Sequence, residues 1–198
     1  ELIKGLAPRF DMKRPNGYQL PIRDKVTSIS CIRYADDFVI LHESQEVINL
    51  CKETIEVWLS DIGLELKPSK TRISHSLNKT EDEAPGFNFL GFKICQFPCG
   101  KYTSGKNSQK ELLGYATIIK PSKESQRRHY NMLKDEINKW NGFSQFILIT
   151  KLNPIIRGWC NYFCTVNSTK VFSKIYSLVF RKLLKWGIRR HRNKSRKW

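Results

Sequence analysis

The residues that decide the fold are 28–42, which read Ser28-Ile29-Ser30-Cys31-Ile32-Arg33-Tyr34-Ala35-Asp36-Asp37-Phe38-Val39-Ile40-Leu41-His42. Two runs rich in β-forming apolar residues, 29–34 and 38–41, lie on either side of two adjacent acids. This pattern predicts a buried β-hairpin that carries Asp36 and Asp37 at its tip.

The two acids at this tip predict a metal site. Neighbouring carboxylates repel each other unless a cation joins them. Oxygen ligands of this kind suit Mg²⁺, which takes one or two carboxylates and fills its other positions with water and substrate phosphates. The reaction class that needs such an arrangement is two-metal phosphoryl transfer. The alternative is that Asp36 and Asp37 are only turn residues, since Asp is common in tight turns.

The chain of 198 residues carries a net charge of +17, and the excess lies in its second half. Residues 1–100 hold 13 Lys or Arg against 14 Asp or Glu, whereas residues 101–198 hold 22 against 4. This division indicates a catalytic module joined to a module that binds a polyanion, with nucleic acid favoured over a merely solvated basic surface. Residues 100–110, rich in Gly, Lys, Ser and Asn, mark the predicted boundary, which gives domains at 1–100 and 101–198.

No stretch has the uninterrupted apolar length that a membrane-spanning helix needs, and Glu1 opens no signal peptide. We expect a soluble, intracellular protein with no membrane partner. A first residue other than Met suggests a piece of a longer chain.

Six cysteines lie mostly within apolar segments, which predicts buried thiols. The spacing of Cys95 and Cys99, and of Cys160 and Cys164, would also allow zinc. No His accompanies either pair, and the second pair falls in a predicted helix, so thiols without metal are the preferred interpretation.

Hydrophobic periodicity and turn residues assign elements along the first half. The proline-rich residues 1–27 predict a loop or short hairpin, and Ser44 is expected to cap a helix that ends near Ile62 with Gly63 as its stop. Gly91 would admit the close approach of another backbone. The predicted strands are 64–66, a second strand through Leu77, and an aromatic strand at 87–94.

The second half is predicted to be mostly helical. A strand at 115–119 ends before Ser122, which caps a helix over about 123–140. A helical segment at 146–151 leads to Asn153-Pro154, the predicted N-cap and first residue of a new helix. Ser168 starts the last helix, and a basic tail covers 189–198. Aromatic inner faces and basic outer faces are typical of a phosphate-binding surface.

Five motifs, in order, span nearly the whole chain: Tyr34-Ala35-Asp36-Asp37, residues 63–71, Phe89-Leu90-Gly91-Phe92, Lys120-Pro121-Ser122 and residues 152–163. Together they resemble the reverse transcriptase/maturases encoded by group II introns. The first motif resembles the palm active site of reverse transcriptases in general. The last resembles the maturase domain, the thumb-like domain X, and narrows the family. The resemblance implies an α+β fold, in which a partial palm with an antiparallel sheet and a packing helix precedes a mostly helical thumb or maturase domain.

The resemblance implies RNA-directed DNA synthesis by two-metal nucleotidyl transfer, with Mg²⁺ as cofactor and an RNA template, a DNA primer and dNTP as substrates. It implies that Asp36 binds the catalytic Mg²⁺ and that Asp37 supports that site. Tyr34 and Ala35 would lie near the primer end, and Lys70 near the triphosphate. Phe89, Leu90 and Gly91 match the primer grip.

The helices from Ser122 onward match the domain that holds group II intron RNA and assists its splicing. This predicts cytoplasmic localisation in a bacterium, or an organelle. The cations predicted to bind RNA are Lys120, Lys123, Arg127, Arg128, Lys134, Arg157, Lys174, Arg181, Lys182, Lys185, Arg189 and Arg190.

The chain departs from the family pattern at its front, because no apolar strand bearing an Asp precedes Ser28. Asp11 and Asp24 are set among polar and turn residues instead. We therefore expect that a fingers and early palm segment is missing and that the chain alone is an incomplete polymerase. The runner-up hypothesis is an RNA-binding splicing cofactor with a vestigial polymerase site. A retron-type reverse transcriptase is less compatible with the region around Arg157.

Overall fold

The first unit of the chain, Glu1–Ile73, contains a β-hairpin between two helices. The computed structural model describes Gly5, residues 17–19, 21–79, 84–107 and 110–191, and Asn193. Strands β1 and β2 pair antiparallel, from Ser30 opposite Leu41 to Tyr34 opposite Asp37, which confirms the predicted hairpin. The elements within the described residues of this unit are α1 (Ile22–Ser28), β1 (Ser30–Tyr34), β2 (Asp37–Leu41) and α2 (Gln45–Asp61).

Apolar residues at helical spacing attach α2 to the hairpin. Val47 and Cys51, one turn apart on α2, are buried together with Ile29, and Ile40 of β2 packs against this cluster. Because residues four apart lie on one helix face, the sequence spacing alone creates this buried stripe.

Helix α2 ends at a glycine, as predicted. The backbone N–H of Leu64 donates to the carbonyl of Leu59 at 2.8 Å, and that of Gly63 donates to Ser60 at 3.0 Å, which is a Schellman motif. Gly63 has φ = +74°, which glycine adopts without strain. Ser44 is the N-cap residue, although its side chain makes no capping hydrogen bond.

Three predictions about the segments flanking these elements are wrong. Residues 22–28 are helical rather than a loop, because the carbonyl of Pro21 accepts from the N–H groups of Asp24 and Lys25 at 2.9 and 3.0 Å. Residues 64–66 form no strand, since the chain passes from the Schellman motif into a turn at 68–70. The strand predicted through Leu77 is replaced by single hydrogen bonds, from Gly86 N to His75 O and from Gln96 N to Ser76 O.

The second unit, Ser74–Trp198, joins a three-stranded antiparallel sheet to three helices. Strand β4 is central, with β3 on one side and β5 on the other. The register of the β4–β5 pair runs from Phe92 opposite Pro121 to Pro98 opposite Tyr115. The elements are β3 (Phe87–Phe89), β4 (Phe92–Pro98), β5 (Tyr115–Pro121), α3 (Lys123–Lys139), α4 (Gln145–Phe163) and α5 (Thr169–Arg190).

Each of the three helices contributes two side chains to one buried apolar cluster. Burial of an aliphatic side chain of this size stabilises by about 1.5–3 kcal/mol, so this cluster is the main core of the described residues. Ser122 Oγ accepts from Ser125 N at 3.1 Å, which confirms the predicted cap of α3. The six buried residues are Leu133, Ile137, Leu148, Leu152, Ile175 and Val179.

Helix α4 is continuous, so the predicted break at Asn153-Pro154 is wrong. Pro154 lies inside the helix and not at its first position. Proline removes one backbone hydrogen bond from a helix interior, but Leu148 and Leu152 are buried before it and Phe163 after it. Packing on both sides of the proline therefore overrides the local stop signal.

The structure and its proportions of helix and strand confirm the predicted α+β class, with a hairpin and packing helix followed by a mostly helical region. Strands β4 and β5 come from opposite sides of the predicted domain boundary at residue 100, and they form one sheet. The division at 1–100 and 101–198 stays a prediction about family modules. Asp11 and most of the basic tail after His191 lie outside the described residues.

Candidate active site and nucleic-acid interface

Asp36 and Asp37 lie at the tip of the β1–β2 hairpin, as predicted. Tyr34 pairs with Asp37, so Ala35 and Asp36 are the two residues of the turn. Ala35 has φ = +51°, the sign that a two-residue hairpin turn requires at its first central position. The Nε of Arg33 donates to the carbonyl of Ala35 at 2.9 Å. The turn is thus held by strand pairing and by one side chain.

The tip is exposed, so the expected burial of the hairpin is wrong. All five residues of β1 are exposed, and so are Asp36 and Asp37. Tyr34 is 64% exposed. In the described part of the chain this sheet has two strands, and its contact with the buried cluster runs through Ile40. Both carboxylates are therefore accessible to solvent and to ligands.

The donor set at the tip fits part of a magnesium site. Mg²⁺ is commonly held by one or two carboxylates together with water and substrate phosphates, and Asp36 and Asp37 offer two accessible carboxylates. Among the described residues no group of three or more His, Cys, Asp or Glu side chains could hold a metal ion. The described residues thus supply two carboxylates toward such a site.

The cysteines divide into buried and exposed thiols. Cys51 and Cys95 are buried as predicted, whereas Cys31 and Cys164 are exposed, so the prediction is wrong for those two. Burial raises the pKa of the Cys51 thiol, and Cys31 adds to the effect. Burial likewise raises the pKa of Cys160, with a contribution from Cys164.

Lys70 lies in an exposed turn. Its backbone N–H donates to the carbonyl of Lys67 at 2.9 Å, and the next residue, Thr71, donates to the same carbonyl at 3.0 Å. The side chain of Lys70 is exposed. The turn therefore fixes the backbone and leaves the ammonium group of Lys70 accessible to an anionic ligand.

Leu90 and Gly91, which follow Phe89 at the end of β3, form a second two-residue turn, so the single strand predicted at 87–94 is wrong. Phe89 pairs with Phe92, and the two residues between them have φ = +49° and +80°. A Cβ on Gly91 would meet Phe163 Cζ at an ordinary 3.5 Å. The glycine is therefore explained by its backbone angle rather than by the close approach expected from the sequence.

Helix α4 anchors this second hairpin. The hydroxyl of Tyr162 donates to the carbonyl of Leu90 at 3.0 Å, across 72 positions in sequence. The ring of Phe92 stacks on Tyr162 at 5.2 Å between centroids and meets Phe163 edge-on at 4.8 Å. No local sequence pattern signals a contact over such a separation, so Tyr162 is not among the predicted site residues.

His129 on α3 is a second residue that the sequence did not single out. It is buried, and its ring stacks on Trp159 of α4 with centroids 4.4 Å apart and planes 5° apart. Burial lowers the pKa of His129 to about 4, so the ring is neutral at neutral pH. Trp159 in turn contacts Phe163 at 4.9 Å. One run of aromatic contacts thus links α3, α4 and the β3–β4 hairpin.

The cations predicted to bind RNA lie at the end of β5 and along the three helices. Lys120 and Lys182 are half-buried, and Lys120 Nζ lies 5.8 Å from the centroid of the Phe97 ring. Helices α4 and α5 contain no Asp or Glu. The other ten cations are exposed, namely Lys123, Arg127, Arg128, Lys134, Arg157, Lys174, Arg181, Lys185, Arg189 and Arg190.

The charge of the chain follows its two compact units. Residues 1–73 hold 11 Lys or Arg and 11 Asp or Glu, whereas residues 74–198 hold 24 and 7. The first unit is therefore neutral, and the whole surplus of +17 belongs to the second. Among the described residues, no helix has both the length and the apolar character needed to span a membrane.

Two family models match the chain. Residues 13–94 match the reverse transcriptase (RNA-dependent DNA polymerase) family, and residues 126–198 match the group II intron maturase-specific domain. A comparison with curated proteins gives no match. The first segment contains the acidic hairpin, Lys70 and the β3–β4 turn, and the second contains nearly all of the cationic helices. The chain belongs to the reverse transcriptase/maturases of group II introns.

Proposed function

We propose that this chain supplies part of the palm active site and the RNA-binding maturase region of a group II intron reverse transcriptase. The observation that carries the proposal is the pairing of an exposed acidic hairpin in a neutral unit with a second unit of net charge +17. Carboxylates suit a divalent cation and cationic helices suit a polyanion, so the two regions divide the work of polymerisation and RNA binding.

Asp36 and Asp37 would hold Mg²⁺ through their carboxylates. When bound, Mg²⁺ stabilises the charge that develops as the primer 3′-hydroxyl attacks the α-phosphate of dNTP and pyrophosphate leaves. Tyr34 and Ala35, beside the acids in the hairpin, would contact the primer end. Lys70 would meet the triphosphate, since its side chain is exposed and positively charged.

The β3–β4 turn would position the primer strand. Leu90 and Gly91 are fixed by the hydroxyl of Tyr162 and by the N–H of Ser122, which donates to Gly91 O at 2.8 Å. A turn held from two helical segments is pre-organised for a ligand. This anchoring supports a positioning role for Phe89, Leu90 and Gly91.

Helices α3 to α5 would bind intron RNA and thereby assist splicing. Helix α5 carries seven Lys or Arg and no acid. Tyr176 and Phe180 on the same helix are 70% and 53% exposed, and their rings stack with centroids 6.2 Å apart. Exposed aromatic rings among cations are suited to unpaired RNA bases next to their phosphates.

We further propose that the 198 residues do not extend a primer by themselves. Asp36 and Asp37 are adjacent in sequence, and among the described residues no His, Cys, Asp or Glu side chain from another element joins them in a group that could hold a metal ion. The alternative function, an RNA-binding splicing cofactor with a vestigial polymerase site, is supported by the same observation that the described residues bring together two acids and not three.

The experiment that tests the proposal measures RNA binding and primer extension separately. The full chain should bind a labelled group II intron RNA, and the affinity should fall steeply with salt, because several cations release counterions from the phosphates. Asp36→Asn should leave this affinity unchanged. RNA binding that is weak and insensitive to salt would contradict the maturase assignment.

Primer extension and manganese binding test the acidic hairpin. With primer, RNA template, dNTP and Mg²⁺ we expect no extension by the chain alone, and extension that Asp36→Ala abolishes would contradict its proposed incompleteness. Mn²⁺ should broaden the NMR signals of residues 35–37 and spare those of the Asp36→Asn, Asp37→Asn double variant. Equal broadening in both would favour the vestigial-site alternative.

A further inference from the structure

A shallow depression between the C-terminal parts of α3 and α5 has the chemistry of an anion site. It measures about 240 Å³, counted with the solvent at its mouth. Its polar lining residues are two lysines, one arginine, two asparagines and one tryptophan, and the side chain of each carries a hydrogen-bond donor. No acidic residue lines it. The lining residues are Ile137, Asn138, Asn141, Lys182, Lys185, Trp186 and Arg189.

The three cations that line the depression have no carboxylate partner among the described residues. In the part of the chain that the structure describes, neither Lys182, Lys185 nor Arg189 forms an ion pair. Three like charges around one small depression repel each other, and a bound anion would remove that repulsion.

Trp186 supplies a second, independent observation. Its Nε1 is buried and is the one buried side-chain nitrogen or oxygen, among the described residues, without a hydrogen-bond partner. A buried donor without an acceptor is costly, and such groups in folded proteins commonly meet a water, an ion or a ligand. An indole nitrogen donates and does not accept, so the missing partner carries an acceptor oxygen.

The helix ends explain part of this arrangement but not all of it. The carbonyl end of a helix attracts cations, and α3 and α5 both end beside the depression, which would draw Arg189 there without any ligand. This attraction explains neither the two carboxamides nor the unpartnered indole N–H.

We propose that this depression binds one phosphate group of the RNA backbone, which rests on the RNA-binding function proposed above. Phosphate oxygens accept from ammonium, guanidinium, amide and indole donors at once. Arg181 and Arg190, which lie on the same helix outside the depression, would contact the neighbouring phosphates. Asn138, Asn141 and Trp186 thus join the RNA interface, although none of them is charged.

The test compares matched substitutions in the full chain, using a labelled group II intron RNA at fixed salt. Lys185→Gln should weaken binding about tenfold, because it removes a hydrogen bond between a charged donor and the charged phosphate. Asn141→Ala should weaken binding about three- to tenfold, because the donor that it removes is a neutral amide. Lys52→Gln, the same change on α2 of the first unit, should have little effect, and so should Asn153→Ala on α4 outside the depression. Lys185→Gln should also reduce the slope of log Kd against log salt by about 0.7–0.9, whereas Asn141→Ala should leave it unchanged.

The indole N–H signal of Trp186 gives a readout that does not depend on a variant of the pocket. Trp186→Phe identifies this signal, and it should shift when RNA is added while that of Trp58 in the first unit does not. Inorganic phosphate alone should shift the same signal more weakly. A shift with inorganic phosphate and none with RNA would overturn the assignment to the RNA backbone.

Failure of the phosphate site and failure of the proposed RNA-binding function would give different results. If the wild-type chain binds RNA but Lys185→Gln and Lys52→Gln behave alike, the phosphate site is wrong and the proposed RNA-binding function stands. If the wild-type chain does not bind RNA, both fail. Thermal melting of every variant separates lost binding from lost folding, and a Lys185→Gln variant that melts well below the wild-type chain while binding RNA normally would show that the cations serve helix stability alone.

Discussion

The two hairpins of this protein share a turn and differ in what surrounds it. In each, two residues connect the strands, and the first of them is a non-glycine with positive φ, Ala35 at +51° and Leu90 at +49°. The first hairpin ends in exposed acids. The second is covered by aromatic rings of α4.

The difference indicates how the same local geometry serves two tasks. An open tip leaves carboxylates accessible to a cation and its substrate phosphates. A tip held by Tyr162 and packed against Phe163 keeps its backbone fixed and is half-buried. The packing around the turn, rather than the turn itself, therefore decides how exposed and how firmly held the tip of each hairpin is.

The largest expected effect is a difference in how strongly a substitution in each hairpin destabilises the protein. Phe92→Ala should destabilise the second unit by about 3 kcal/mol, because it removes the ring that contacts both Tyr162 and Phe163. Phe38→Ala on the first hairpin should cost about 1 kcal/mol or less, since Phe38 is 37% exposed and its hairpin is open. Urea unfolding followed by far-UV circular dichroism measures both.

Tryptophan fluorescence assigns each loss to its unit. Trp140, Trp159 and Trp186 report the second unit and Trp58 reports the first. Equal destabilisation by the two variants would contradict the distinction between an open and an anchored hairpin.

A smaller effect is expected from the aromatic contacts behind the second hairpin. The pKa of His129 is lowered to about 4 by burial, from an ordinary value of 6.5. The unfolded chain therefore binds more protons than the folded one between these values, and stability falls as the pH drops through this window. From about pH 7.5 to about pH 5 the loss attributable to His129 should be about 2 kcal/mol.

His129→Phe isolates this contribution, because the ring remains and the titration disappears. Urea unfolding of wild type and variant across the same pH range gives the difference between their free energies of unfolding. The contribution of carboxylates that titrate in both proteins cancels in this difference. A wild-type protein whose stability falls no faster than that of the variant would show that His129 is not buried as a neutral ring against Trp159.

The smallest effect probes the turns themselves. Ala35→Gly should stabilise the first hairpin by up to about 1 kcal/mol, because glycine adopts positive φ without the strain of a Cβ. Leu90→Gly should gain less or nothing, since it also removes an apolar side chain that is half-buried. Thermal melting of the two variants tests this order, and a destabilised Ala35→Gly would show that the turn is not strained.

The amino-acid sequence by itself determined the acidic hairpin, the helix with Gly63 as its stop, the cap at Ser122 and the basic character of the second unit. Each of these follows from side-chain periodicity, from a residue with special backbone freedom or from simple charge, all of which act within a few residues. The motifs around Asp36, Asp37 and residues 152–163 were also sufficient to identify the family, which the two matched segments confirm.

Only the tertiary structure decided the rest. It carried α4 through Pro154, since packing on both sides outweighs one missing backbone hydrogen bond. It divided the stretch 87–94 into a hairpin by supplying Tyr162 and Phe92–Phe163 contacts across the fold. It left the acidic tip exposed and brought Asn141 and Trp186 beside Lys185. Such contacts join residues far apart in sequence, so no local pattern encodes them.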